Sequence, residues 1–290
     1  MRRGTATPIR LSFCWRTLLV VNGAIIELPD DKGFTALIYA AGRSHLDVVE
    51  ALVNDGADIE KASNEGYTAL IKAASEGESE VIQLLLERGA AVEKTNKDKC
   101  TALVCAAEWG HLEAFKRLLK KGACVDPPTC SPLVAAVRKD DAGVVELLLN
   151  NGASVNRPAE DGLTPLLAAA ESGHTDVMRV LKRHGANMDM TDTEGYSALG
   201  YAAEWGRLEG AKVLLENGAD INPPTHEGCT APMRASLFGR IDIVRRLLQK
   251  GADTGKFDNE GHTALAYTRE SGHDDVVTSL LDNRANIDVG

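Results

Sequence analysis

Gly66-Tyr67-Thr68-Ala69-Leu70, Ala73-Ala74, Gly77, Leu84-Leu85-Leu86 and Gly89-Ala90 are the fixed points of residues 66–90, and they recur along the chain. The Gly-Ala pair returns at Gly23, Gly56, Gly122, Gly152, Gly185, Gly218 and Gly251, in 33-residue steps broken by one step of 30. A hydroxyl landmark keeps the same step and the same shortfall: Thr35, Thr68, Thr101, Ser131, Thr164, Ser197, Thr230 and Thr263. Self-similarity at such a period marks a repeat protein.

Each landmark has a physical reading. The Ser or Thr is a helix N-cap whose hydroxyl takes an orphan N–H of the first turn. Pro132 and Pro165 follow at the first helical position, where a missing N–H costs nothing. A short helix runs through an Ala-Ala pair (Ala73-Ala74, Ala106-Ala107, Ala202-Ala203), small enough for a neighbour to approach closely. Gly77, Gly110, Gly173, Gly206, Gly239 and Gly272 end it as left-handed caps. A second helix carries the Leu-rich face and stops at the Gly of Gly-Ala. The polar Gly/Asp/Asn-rich remainder reads as a turn or hairpin loop. Helices of about 8–11 residues are too short to stand alone in water. Stacked neighbours must therefore supply a shared, quasi-one-dimensional core.

These units resemble ankyrin repeats, most clearly in residues 66–90 and in Asp161-Gly162-Leu163-Thr164-Pro165-Leu166 with Gly173-His174. The resemblance implies an all-α, ankyrin-type helix–turn–helix repeat solenoid with short β-hairpin loops. It gives eight full repeats over residues 30–290 (30–62, 63–95, 96–125, 126–158, 159–191, 192–224, 225–257, 258–290). Residues 1–29 form a basic segment and a partial capping repeat. One departure is systematic. Where the family usually has His after the Thr-Pro-Leu triplet, this chain has Ile38, Ile71, Val104, Val134, Leu167, Gly200, Met233 and Ala266. The family's Thr–His hydrogen bonds give way to apolar packing.

A longer period overlies the short one. Glu108-Trp109-Gly110-His111-Leu112-Glu113 is echoed by Glu204-Trp205-Gly206-Arg207-Leu208-Glu209. Asp126-Pro127-Pro128-Thr129 is echoed by Asn222-Pro223-Pro224-Thr225, but His226-Glu227-Gly228 has no counterpart before Cys130. A three-repeat block has been duplicated, and one copy of its turn trimmed by three residues.

The chain carries a net charge of −10, and four arginines against Glu27 in residues 1–29 leave −13 on the rest. An acidic body repels phosphate, so nucleic acid is an unsuitable partner, and a basic protein or one with apolar anchors suits it better. No run of about 18 apolar residues suggests a membrane helix. Six cysteines without a CxxC pair point to reduced thiols and a cytoplasmic, or else nuclear, location. Residues 17–27 read as the second half of a repeat in register with Gly56-Ala57. The rival reading of the Arg-rich, acid-poor start is a mitochondrial presequence, with the cut end of a longer chain as a third.

No catalytic constellation, metal site or cofactor motif stands out. His45, His111, His174 and His273 share one place after the inter-helix turn and read as turn-packing residues. Asp30-Asp31 and Asp274-Asp275 read as solvated charges. Cys100, Cys130 and Cys229 share a hairpin place. Two of them lie on neighbouring repeats, but third and fourth metal ligands at suitable spacing are missing. Asn156 and Asn222 hold the place filled elsewhere by Glu60, Glu93, Asp126, Asp189, Gly255 and Asp288. The plain reading is a loop-bending side chain bonded to its own backbone. The resemblance adds a modification reading, since these Asn, with Leu148 and Leu214 eight residues upstream, resemble those offered to an asparaginyl hydroxylase.

The resemblance also implies a concave binding face made of hairpin tips and the exposed turn of each first helix. Carried over residue by residue, that face holds Tyr196, Trp205, Leu237 and Phe238, and, beside a basic step of Arg138 and Lys139, Trp109. Large apolar side chains facing solvent are common hot spots. The expected function is a non-catalytic, monomeric protein-interaction module or scaffold. The alternative is a targeting or inhibitory subunit that regulates a partner enzyme.

Overall fold

The computed structural model describes residues 26–128 and 130–287. The basic segment of residues 1–16 lies outside them, as does most of the half-repeat at 17–27. The described residues hold eight helix pairs. The chain divides into two compact units, residues 1–135 and 136–290. The first unit holds α1 (Ala36–Ala41), α2 (Leu46–Asn54), α3 (Ala69–Glu76), α4 (Ser79–Glu87), α5 (Ala102–Glu108) and α6 (Leu112–Lys120), and α7 (Pro132–Arg138) runs across the boundary. The second unit holds α8 (Ala142–Asn150), α9 (Pro165–Ser172), α10 (Thr175–Arg183), α11 (Ala198–Glu204), α12 (Leu208–Glu216), α13 (Ala231–Leu237), α14 (Ile241–Gln249), α15 (Ala264–Ser271) and α16 (Asp274–Ile287).

Within each unit the first helices of successive pairs pack on one another, and so do the second helices. Two helical layers result. The Ala pairs are fully buried in the first layer, and Leu85, Leu118, Leu148, Leu181, Leu214 and Leu247 in the second. Each such Leu contributes about 1.5–3 kcal/mol. The family's His place is filled by buried Ile38, Ile71, Val104, Val134, Leu167 and Met233, the apolar substitution the sequence implied.

The caps explain where each helix starts and stops. The hydroxyls of Thr35, Thr68, Thr101, Ser131, Thr164, Ser197 and Thr263 each accept the N–H three residues on. Thr230 differs: its buried hydroxyl is unpaired, and its own N–H meets Met233 Sδ at 3.4 Å. The first helices are shorter than expected, at 6–8 residues. The second helices stop two residues before the Gly of Gly-Ala. That Gly is left-handed, and the N–H of the following Ala reaches back to a buried Leu carbonyl, as Ala57 does to Leu52 and Ala90 to Leu85. The Gly is thus the first residue past the cap, in a Schellman turn.

Three non-glycine residues stand at left-handed places that the period assigns to glycine: Ser44, Asp140 and Lys99. At Gly77 and Gly173 glycine meets a second demand. A Cβ on Gly77 would lie 2.7 Å from the His111 ring, and one on Gly173 would lie 2.8 Å from Arg207 Cδ. The turn residues above them cap the preceding repeat: His111 Nε2 lies 3.1 Å from Ser75 O, His273 Nε2 3.2 Å from Leu237 O, and Arg207 Nε donates to Glu171 O at 2.9 Å. Those carbonyls are the orphans of a helix end. The repeated His is therefore a joint between repeats.

The hairpin loops are zipped by single backbone bonds, Asn64 N to Lys32 O, Lys97 N to Glu65 O, His226 N to Glu194 O and Asn259 N to Glu227 O. Among the described residues their β character is limited to isolated antiparallel bridges, Thr95–Thr101 and Thr191–Ser197. A run of so few residues, half of them polar turn formers, does not extend into a ladder.

Candidate interaction surface

Trp109, Trp205 and Phe238 have one structural position in common. Each is the C-cap residue of a first helix, just before a left-handed Gly. The chain leaves the helix there, so the side chain is not drawn between the helical layers. Trp109 is 59% exposed, Trp205 48% and Phe238 40%.

In the second unit the surroundings of Trp205 are held by a hairpin lock. Asp192 accepts the Tyr196 N–H at 2.8 Å and the Tyr201 hydroxyl at 2.6 Å, which sets the two rings 5.4 Å apart. The same lock recurs at Asp30, Phe34 and Tyr39 and at Asp258, His262 and Tyr267. Asp30 is therefore a structural acceptor rather than a merely solvated charge. Arg234 lies with its guanidinium carbon 4.6 Å from the Tyr196 ring centre and its Nε 3.9 Å from Glu204. Burial pulls that guanidinium below its ordinary pKa. Burial first, and then the like charge of Glu171, hold the Glu204 carboxyl above its usual range. Tyr196, Arg234, Glu204 and Trp205 thus form one patch. Phe238 and Leu237 follow at the end of α13, the helix that carries Arg234 and packs against α11; Phe238 is exposed, whereas Leu237, expected to face solvent, is half-buried. Arg138 and Lys139 also belong to this unit, and Arg138 is engaged in an ion pair with Asp161.

In the first unit Trp109 lines a groove of about 450 Å³ with Phe34, Tyr67, Lys72, Ser75 and Glu76. The Phe34 and Tyr67 rings are stacked 6.5 Å apart. Lys72 pairs with Glu76 one helical turn on. In the duplicate block the places of Phe34, Tyr67 and Ser75 are taken by Cys130, Leu163 and Glu171. The two Trp therefore sit in differently furnished settings.

Arg234 and Lys72 escaped the sequence reading. The available signal was spacing: Arg234 is four residues before Phe238, and Lys72 four before Glu76. Asn156 and Asn222 differ from the own-backbone bend expected of them. Asn156 Oδ1 accepts Asn187 N at 2.9 Å and Asn222 Oδ1 accepts Asp253 N at 3.1 Å, each in the next repeat. Glu27, Glu60, Glu93 and Asp189 make the same bond. This place staples repeats together. The own-backbone bend is made two residues earlier, as where Asp220 accepts the Asn222 N–H.

Among the described residues no three His, Cys, Asp or Glu side chains are gathered so as to hold a metal ion. Nor is any described helix long and apolar enough to cross a membrane. The family model for ankyrin repeats (three copies) matches residues 12–96, 88–159, 133–225 and 222–290. Among solved structures, the human ASB11 ankyrin repeat domain is similar to 76% of this chain and 99% of its own, with a TM-score of 0.71 and 23% identity. No curated protein matches.

Proposed function

The chain belongs to the ankyrin-repeat family, and from that premise we propose that it is a non-catalytic protein-interaction module whose second unit grips a basic segment of a partner. Ankyrin repeats serve protein–protein contact, while the fold alone leaves the partner open. The observation that carries the reading is the exposure of Trp205 and Phe238 on the helix ends of the two repeats that the Tyr196–Arg234 stack joins. Its acids favour a cationic partner: ionised Glu204 faces the like charge of Glu171, and a partner's Lys or Arg relieves that repulsion. The aromatic rings bury the aliphatic stem of the same side chain.

Affinity capture with the full chain tests this, comparing wild type with Trp205→Ala/Phe238→Ala after circular dichroism has confirmed folding. Partners caught by the wild type and lost by the double variant support the proposal. An unchanged partner set removes it. If a captured enzyme changes its activity on binding, the module is a regulatory subunit of that enzyme.

A further inference from the structure

The surface of the second unit holds one group whose chemistry the rings and acids around it leave unused, the guanidinium of Arg234. It lies over Tyr196, with its carbon 4.6 Å from the ring centre, and its side chain is 15% exposed. Among the described residues the guanidinium makes no hydrogen bond. Glu204 Oε2 comes to 3.9 Å from Nε, beyond hydrogen-bond reach. Nε is sealed from solvent without a partner, while the two terminal nitrogens keep contact with solvent. Arg246 also has a sealed Nε, but its terminal nitrogen is bonded to Glu216 at 3.1 Å.

The repeat pattern shows which acceptor is missing. Tyr39, Tyr201 and Tyr267 hold the place of Arg234 in other repeats, and each has an Asp nine residues earlier. Their hydroxyls donate to Asp30, Asp192 and Asp258 at 2.5–2.6 Å. The other oxygen of each Asp accepts a hairpin N–H at 2.8 Å, from Phe34, Tyr196 and His262. Nine residues before Arg234 stands Thr225. Its hydroxyl keeps the hairpin bond, accepting the Cys229 N–H at 3.2 Å. A threonine has no second oxygen to offer. The side chain with five N–H donors therefore sits where the lock has lost its carboxylate.

We propose that Arg234 is a carboxylate receptor, which takes an Asp or Glu side chain of the same basic segment that Trp205 and Phe238 grip; the inference rests on that reading of the surface. The flat fork of a guanidinium matches a carboxylate with two parallel hydrogen bonds, and stacking on Tyr196 fixes its plane. A guanidinium held out of water without a hydrogen bond is costly, and a bound carboxylate relieves that cost. Phosphate fits less well. Glu194 and Glu204 stand by the guanidinium and repel a second negative charge. The 3.9 Å between Arg234 and Glu204 also sets the segment's pattern. Its base and its acid must lie side by side, and residues two apart in an extended chain share one face. The segment is therefore one with a Lys or Arg and an Asp or Glu separated by one residue.

The test follows the full chain by NMR through the Arg234 Nε–H and the Phe238 N–H, which donates to the Arg234 carbonyl at 3.2 Å. The probes are sodium acetate, chloride and phosphate at equal ionic strength, and the blocked tripeptides acetyl-Lys-Gly-Glu-amide and acetyl-Lys-Gly-Gln-amide. Acetate and the Glu peptide should shift the Arg234 signal saturably, and chloride and the Gln peptide should leave it in place. Arg234→Lys keeps the charge, removes the fork, and should leave the Phe238 N–H still in acetate. Thr225→Asp returns the missing acceptor. It should raise the melting midpoint by about 2–4 °C and abolish the response to acetate. The proposal is overturned if acetate moves Arg234 no more than chloride does, if phosphate moves it further than acetate, or if the two peptides act alike. An acetate response that survives Thr225→Asp overturns it too. The unsubstituted chain decides the first three outcomes even if a variant fails to fold. Partner capture lost in Trp205→Ala/Phe238→Ala, together with a silent acetate titration, leaves the interaction module standing and removes the carboxylate receptor alone.

Discussion

The turn after Asp126-Pro127-Pro128 and the turn after Asn222-Pro223-Pro224 both end on a cysteine, but the second is three residues longer. The helices before them are alike. Leu118 and Leu214 are fully buried, and each accepts the N–H of the Ala after a left-handed Gly, from Ala123 and Ala219. The helical layers are thus indifferent to the length of the turn, because their core is set by side chains three and four apart along each helix. The loop surface has diverged. The first copy has Trp109 in a groove with Phe34 and Tyr67. The second has Trp205 beside Glu204, with Glu171 across from it. Duplication preserved the packing and left the loops and helix ends open to change, as expected of segments that bear little of the core.

The largest effect that can break this comparison lies in the core. Leu118→Ala and Leu214→Ala should each cost about 3 kcal/mol in urea unfolding, and by similar amounts. A severalfold difference would mean that the two copies of the core are not equivalent. Next come the hairpin tips. Gly195 has a φ of +86°, and a Cβ there would stand 3.0 Å from His226 N; its counterpart Lys99 adopts φ 61° without being glycine. Gly195→Lys should therefore lose about 2 kcal/mol, and Lys99→Gly should gain about 1 kcal/mol, read as opposite shifts of the urea midpoint.

A smaller effect sharpens the role of the staples. Glu93→Ala and Asn222→Ala each remove one bond to the next repeat and should each cost about 1 kcal/mol. Equal losses from a carboxylate and an amide would show that geometry, not charge, is what this place supplies. The smallest effect is electrostatic. A carboxyl whose folded pKa is raised subtracts stability as pH rises past its unfolded value. Glu171→Gln should lower the Glu204 titration seen by NMR and lessen that loss. A Glu204 titration unmoved by Glu171→Gln would mean that burial alone raises it.

Most of the fold was legible because its landmarks are local. A Thr three residues ahead of the N–H it caps, or a Gly at a left-handed turn, declares itself in one line of sequence. The second helices nevertheless end earlier than the sequence suggested, since a Gly beyond the cap and a Gly ending the helix recur with the same period. Ser44 and Asp140 take left-handed places without the glycine that would have marked them. The staple at Asn156 and Asn222 was visible as a place but not as a bond, because its partner lies 31 residues away. Of the candidate surface, the exposed aromatics could be read from their register. Arg234 could not, because its role comes from the Tyr196 ring of the preceding repeat rather than from its own neighbours in sequence.

Partner binding tests the central claim most directly. Once capture has supplied a partner, its affinity should be titrated calorimetrically against wild type, Trp205→Ala/Phe238→Ala and Trp109→Ala, all with native circular dichroism. We expect the double variant to lose on the order of 100-fold, as paired hot-spot aromatics do, and Trp109→Ala to lose less than threefold. A double variant that binds as tightly as the wild type would contradict the account.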